Sequence, residues 1–166
     1  MAEIIKGKEK ILLFRKLSEA SKDKATKLAL QTAHTISYER DSETTQTKDG
    51  PVTNNSNLQT TISIEALLTR DDPASALLRE AVIDGYKVEV WEIDLGSKDS
   101  EGKYSALYGQ GTLSSWEDPA DVEEDAKLST EMTIDGELQK GKATLTKEQE
   151  ETIQYAFRDV TPVSAG

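Results

Sequence analysis

Two alternating arms joined by a long polar tip constrain this chain more than any other feature. The first arm, Ala33 to Glu43, places His34, Ile36 and Tyr38 on one side. Thr35, Ser37, Glu39, Asp41 and Glu43 fall on the other. In the second arm Leu58, Ile62 and Ile64 share a face, opposed by Gln59, Thr61, Ser63 and Glu65. A period of two, rich in Thr and β-branched residues, specifies half-buried strands, so a sheet with one wet face is expected. The 41–57 stretch between the arms carries a single large apolar side chain, Val52, and Asp49-Gly50-Pro51 signals a turn. Two residues suffice to reverse a hairpin, and a long polar connection with no core of its own usually has a function.

Elsewhere the pattern is also mostly strand. Lys10 to Leu17 reads as a first strand, Tyr86 to Leu95 as one covered on both faces, and Tyr104 to Trp116 as a long strand in which Gly109 and Gly111 mark a bulge. In 126–134, Ala126, Leu128, Thr130, Met132 and Ile134 alternate with polar residues, and Asp135-Gly136 signals a tight turn into Glu137 to Leu145. One main helix is expected after Asp72. Pro73 fits its first position, Gly85 its end, and Ala74, Leu77, Leu78, Ala81 and Val82 its apolar stripe. Thr146 with Gln149 resembles a capping box, and Ile153, Tyr155 and Phe157 suggest a last strand. Residues 1–8 and 161–166 read as mobile terminal arms. The fold class is therefore β-rich α+β, a β-sandwich or flattened barrel in one domain spanning 1–166, with one main helix and a long protruding hairpin loop.

Charge and composition exclude several functions. With 20 Lys+Arg against 31 Asp+Glu, the formal charge of −11 opposes static DNA binding and anionic membrane surfaces. There is no cysteine, which removes disulfides and thiolate metal sites. No run approaches the ~18–20 apolar residues of a membrane span, and the N-terminus has no signal-like apolar run, so synthesis and assembly in a cytoplasm are expected. His34, the sole histidine, lies on the Ile36/Tyr38 face, where a structural role is expected. Gly109-Gln110-Gly111 lacks the third glycine and following helix of a dinucleotide site. The acidic 117–125 loop lacks calcium-loop spacing, and Trp91 and Trp116 sit in strand patterns suited to a core. No catalytic, metal or cofactor site is expected.

The run Tyr38 to Gly50, followed in order by Glu89 to Asp94, Gly109 to Glu117 and Thr130 to Gly136, resembles the major tail proteins, or tail-tube subunits, of long, non-contractile-tailed bacteriophages. The likeness covers nearly the whole chain and implies a structural virion protein without enzyme activity. Six copies would form a ring, and rings would stack into a tail tube through which genomic DNA passes without specific binding. Assembly would take place in the host bacterial cytoplasm, and no membrane is involved. The resemblance implies tape-measure, tail-terminator and distal tail proteins as partners. Asp41, Glu43, Lys48, Asp49, Gly50, Asn54 and Asn55 would belong to an inter-ring loop. Glu39, Thr61, Ser63 and Glu65 would face the lumen, and the termini would act as arms between rings. The competing reading is a monomeric binding or adhesion module using 41–57 for recognition; a hydrolase is a more distant third.

Overall fold

The computed structural model describes residues 2–55 and 57–145. Its strands are β1 (Lys10–Lys16), β2 (Thr26–Lys27), β3 (Gln31–Glu39), β4 (Ser42–Thr47), β5 (Gly50–Asn55), β6 (Gln59–Leu67), β7 (Val88–Asp94), β8 (Tyr104–Glu117), β9 (Lys127–Ile134) and β10 (Gln139–Ala143). The helix α1 spans Pro73–Asp84. The main sheet runs β2-β1-β7-β8-β9-β6-β3, with β10 also on β8, and every pairing is antiparallel. β4 and β5 form a sheet of their own.

The sequence-level signals for α1 hold. The Asp72 side chain accepts from the Ala74 N–H, Pro73 occupies the first turn, and Gly85 at φ 74° ends the helix in the left-handed region. Such a cap stabilises by about 0.5–2 kcal/mol. Leu78, Ala81 and Ala74 are buried, whereas Leu77 and Val82 are only half-buried. These residues share one core with Leu12 and Phe14 of β1, Val88 and Val90 of β7, and the inward residues of β6 and β9. On the opposite face of β1 and β7, Ile11, Leu13 and Ile93 pack with Trp91, Tyr104 and Leu145. These two strands are thus covered on both faces, as Val88/Val90 and Trp91/Ile93 predict.

The sheet curls into a flattened barrel whose seam is closed by side chains. Among the described residues β3 has a ladder partner on one side only. On its other side the Gln31 amide accepts from the Leu12 N–H at 2.9 Å and donates to the Leu12 carbonyl at 2.9 Å and the Leu28 carbonyl at 3.0 Å. His34 meets Glu92 there at 2.6 Å. Followed through the ladders, His34 aligns with Ile64, Thr130 and then Trp116, while Glu92 aligns with Leu107. Those β8 residues are nine positions apart, which is the stagger that closing a tilted sheet requires.

Three expectations need correction. Asp135-Gly136 does not turn a hairpin: β9 and β10 run in the same direction along β8 and are separated by an excursion. Gly109 and Gly111 permit it. A Cβ at Gly109 would come within 2.4 Å of Leu138 Cδ2, and one at Gly111 within 2.0 Å of the Thr133 carbonyl oxygen. The register shift in β8 itself lies between Leu113 and Ser115. Second, Tyr38 is not in the core but 53% exposed, on β3 at the end of the sheet order. Third, most of the 41–57 stretch is not irregular loop but the β4–β5 ladder; alternating Thr suits a strand, and Lys48–Asp49 provides a two-residue turn. The helix and strand expected beyond Leu145, and the 161–166 arm, lie outside the described residues.

Candidate functional site: a hydroxyl-rich sheet face and a detached hairpin

The cross-strand register assembles one broad polar face. Thr35 lies opposite Ser63, Ser37 opposite Thr61, Ala33 opposite Glu65, and Glu39 opposite Gln59. The face continues onto β9, where Thr61 meets Thr133, Ser63 meets Glu131 and Glu65 meets Ser129. It ends on β8 with Thr112, Ser115 and Glu117. Glu39, Ser63, Glu65, Glu131 and Thr133 are exposed, and Thr61 is half-buried. The alternate residues Thr60, Ile62, Ile64, Ala66, Leu128, Thr130 and Met132 are all buried on the reverse side. Thus the four residues expected on a lumen, Glu39, Thr61, Ser63 and Glu65, do share a face. Glu131, Ser129, Thr133 and Glu117 join them; the period-two pattern of 126–134 indicated their side, but not that β9 would lie beside β6.

The hairpin carries the other set of residues singled out. Glu43 pairs with Asn54 and Ser42 with Asn55, Lys48 and Asp49 form the turn, and Asp41 lies in the connection before β4. Gly50 adopts φ 113°, a conformation that favours glycine. Thr47 Oγ1 donates to the Gly50 carbonyl at 2.6 Å and accepts from the Asp49 N–H, while Thr44 and Thr53 hydroxyls meet at 3.1 Å. β4 is exposed throughout and no buried cluster includes a hairpin residue. A two-stranded hairpin without a core is marginal in water by itself, so this one depends on its own cross-strand hydroxyls or on a surface elsewhere.

Two polar clusters brace the scaffold behind these surfaces. At the seam, Glu92 accepts from His34 at 2.6 Å and lies 3.5 Å from Lys10 Nζ. Burial alone would raise the Glu92 carboxyl, but His34 and Lys10 outweigh it and hold it below the ordinary carboxylate range. On the outer face of β1, β7 and β8, Arg15 grips Glu89 through two nitrogens at 2.6 and 3.2 Å. Tyr108 donates to the same carboxylate at 2.5 Å, and the Arg15 guanidinium sits 5.0 Å from the Trp91 ring centroid. The Glu89 hydrogen bond raises the Arg15 pKa against burial, and burial with that same carboxylate raises Tyr108. Neither cluster places a nucleophile beside a base. Among the described residues no group of three His, Asp or Glu side chains could hold a metal ion, and no helix is long and apolar enough to cross a membrane.

A hydroxyl-lined sheet face with a detached hairpin suits a subunit that assembles, and comparison with known proteins agrees. Residues 4–140 match the family model described as phage tail tube protein. The chain belongs to that family. Its place is the virion tail and its role there is structural. A tail protein of Staphylococcus phage phiMR25 is 29% identical over 99% of this chain and 88% of its own length. A tail tube protein of Bacillus phage SPP1 is 25% identical over 87% of this chain, which spans about half (54%) of that relative. The SPP1 tail tube structure superposes with a TM-score of 0.78 at 21% identity, covering 93% of this chain and 91% of that one. A gene transfer agent tail structure with C6 symmetry gives a TM-score of 0.62 at 16% identity, covering 83% and 98%. At these identities the structural matches concern the fold, and they agree with a β-rich flattened barrel bearing one main helix.

Proposed function

We propose that copies of this tail tube protein form six-membered rings that stack into a tube, with genomic DNA passing along the channel. The observation that carries this reading is the four-strand face of β3, β6, β9 and β8. It is broad, rich in hydroxyls and carboxylates, and uncovered by the rest of the described chain, while its reverse side is the core. Glu39, Glu65 and Glu131 would line the channel with Thr61 and Ser63 between them. An acidic wall repels phosphate over about a Debye length, ~8 Å at physiological salt, and so favours passage over retention. The six-fold number is supported by the C6 symmetry of the gene transfer agent tail. The β4–β5 hairpin, with Asp41, Glu43, Lys48, Asp49, Gly50, Asn54 and Asn55, would reach the next ring. Tape-measure, tail-terminator and distal tail proteins would be further partners, and assembly would precede release from the host cytoplasm.

Negative-stain electron microscopy of the purified protein across concentration, with sedimentation velocity beside it, tests the assembly. Rings and tubes with a central channel are expected. A persistent monomer at all concentrations would overturn the proposal in favour of a binding module.

A further inference from the structure

Aspartate is followed by glycine three times in this chain, at Asp49-Gly50, Asp84-Gly85 and Asp135-Gly136. This pair has a reactivity of its own. Glycine has no side chain to screen its main-chain nitrogen, so that nitrogen can reach Cγ of the preceding carboxyl group and close a five-membered ring. All three aspartates are exposed. A Cβ at any of the three glycines would meet nothing within 4 Å, so crowding protects none of them. Restraint separates them.

Asp84 is the last residue of α1, and the Gly85 N–H donates to the Ala81 carbonyl at 2.9 Å. Ala81 is buried in the main core, so freeing the Gly85 nitrogen requires unwinding an anchored helix end. Asp135 is held at both ends. Its N–H donates to the Gln110 carbonyl at 2.7 Å, and its carboxylate pairs with Lys87 Nζ. Asp49 stands in the two-residue turn of the β4–β5 hairpin, and its carboxylate makes no hydrogen bond or ion pair among the described residues. Its N–H donates to Thr47 Oγ1 at 3.3 Å, longer than most such contacts. Gly50 pairs with Thr47, so ring closure needs that pair to open. β4 is exposed throughout and neither buried cluster contains a hairpin residue, so opening the tip disturbs no core. Segments of this kind open locally at the low end of the free energies found within one protein.

We propose that Asp49-Gly50 is a self-modifying site, where Asp49 of the unassembled subunit converts through a cyclic imide to isoaspartate. The Gly50 nitrogen attacks Asp49 Cγ. An N–Cγ bond forms, and the carboxyl hydroxyl leaves with the amide hydrogen as one water. Water then adds to the main-chain carbonyl of Asp49, and the original peptide bond to Gly50 breaks. The chain now runs through the former side-chain carbonyl, one methylene longer, and the former main-chain carbon carries the carboxylate. Nothing is oxidised or reduced, and the mass is unchanged. In so short a turn an extra main-chain atom shifts Thr47 against Gly50, and the Thr47 Oγ1 contact to the Gly50 carbonyl at 2.6 Å is lost. The consequence for assembly rests on the tube reading. A hairpin with an altered tip no longer fits the next ring, and a hairpin held by that ring reacts more slowly. The free subunit therefore has a limited time in which to assemble.

The parent is aged below its assembly threshold in mildly acidic buffer at physiological temperature, digested, and mapped by electron-transfer mass spectrometry, whose backbone fragments distinguish isoaspartate from aspartate. Isoaspartate at position 49 should exceed that at Asp84 and at Asp135 by at least about tenfold. Equal amounts at the three sites, or none at position 49, would overturn the modification. Asp49→Glu, whose ring would need a sixth member, should keep the parent's circular dichroism and lose the isomer at that position. For assembly, the aged parent is raised above its threshold and the tubes are pelleted. Isoaspartate at position 49 should be depleted in the pellet and enriched in the supernatant; an even partition would overturn the link to assembly. A parent that forms no tubes counts against the tube reading alone, because the mapping needs only the subunit.

Discussion

His34 on β3 and Glu92 on β7 meet at 2.6 Å although their strands share no ladder. Their side chains are only 10% and 11% exposed. The contact is therefore a charge-assisted weld across the seam, where the described backbone ladder stops. Lys10, 3.5 Å from the other oxygen of Glu92, adds a cation.

This weld predicts acid sensitivity. Its neighbours hold the Glu92 carboxyl below the ordinary range, so the unfolded chain takes up its proton first as pH falls. The stabilisation is present above the unfolded value of about 4.3 and is lost as pH falls through the lower folded value. Glu92→Gln should lower the urea midpoint at neutral pH, and the gap to the parent should narrow below pH ~4. Parallel midpoint curves from pH 7 to pH 3 would exclude this account.

Gly111 and Gly141 provide a matched test of the β8–β9 approach. A Cβ at Gly111 meets a backbone carbonyl at 2.0 Å, whereas one at Gly141 has nothing within 4 Å. Gly111→Ala should cost about 1–3 kcal/mol or more, since backbone rather than a flexible side chain must yield. Gly141→Ala should be neutral or stabilising by up to about 1 kcal/mol. Chemical denaturation of both variants checks the difference, and equal midpoints would mean the strands are further apart than described.

Leu77 and Leu78 are adjacent in α1 but unequal in burial. Leu78 is fully buried and Leu77 only half so. Leu78→Ala should cost about 2–5 kcal/mol and Leu77→Ala distinctly less. Thr35→Ala, on the exposed face, should stay within about 0.5 kcal/mol of the parent. Thermal melts that rank Leu77→Ala at or above Leu78→Ala would contradict the assigned helix face.

Charge reversal tests the channel wall. Glu39→Lys with Glu65→Lys should still fold, because both residues are exposed on the polar face. Tubes of this variant should retain double-stranded DNA, and the retention should weaken steeply with salt. Co-sedimentation at two ionic strengths reads this out. Tubes that form but hold no DNA at low salt would move this face away from the channel.

The hairpin should be needed for assembly and dispensable for folding. Deleting Thr44 to Asn55 removes no residue of either buried cluster. The shortened chain should keep its circular dichroism and its melting temperature to within a few degrees, yet form no tubes in the microscope. Normal tubes from it would remove the hairpin from the ring-to-ring contact.

Local pattern was sufficient for much of this fold. Asp72, Pro73 and Gly85 bounded the helix, and the alternation of Leu128 with Ser129 or of Ile64 with Glu65 assigned sides to strands. Partnership was not legible. Nothing in Asp135-Gly136 distinguishes a hairpin from an excursion, because the distinction depends on Gly109 and Gly111 across β8. Tyr38 continues the pattern of His34 and Ile36, but burial depends on what lies beside a strand, and β3 has a ladder partner on one side only among the described residues. The polar face was half legible for the same reason: Glu131 was on the correct side of its strand, and only pairing brought it beside Ser63.

The Gln31 amide contacts have a mechanical consequence. A cylinder closed by continuous ladders resists being flattened, whereas one slit along its length does so far less. Here the slit is bridged by the Gln31 carboxamide, bonded to both the N–H and the carbonyl of Leu12, and by the His34–Glu92 hydrogen bond, so widening it breaks side-chain hydrogen bonds and leaves every described strand ladder intact. A subunit built this way can become oval under sideways load and recover, much as a split ring does. A filament of such subunits can then take up curvature within its building blocks as well as between them.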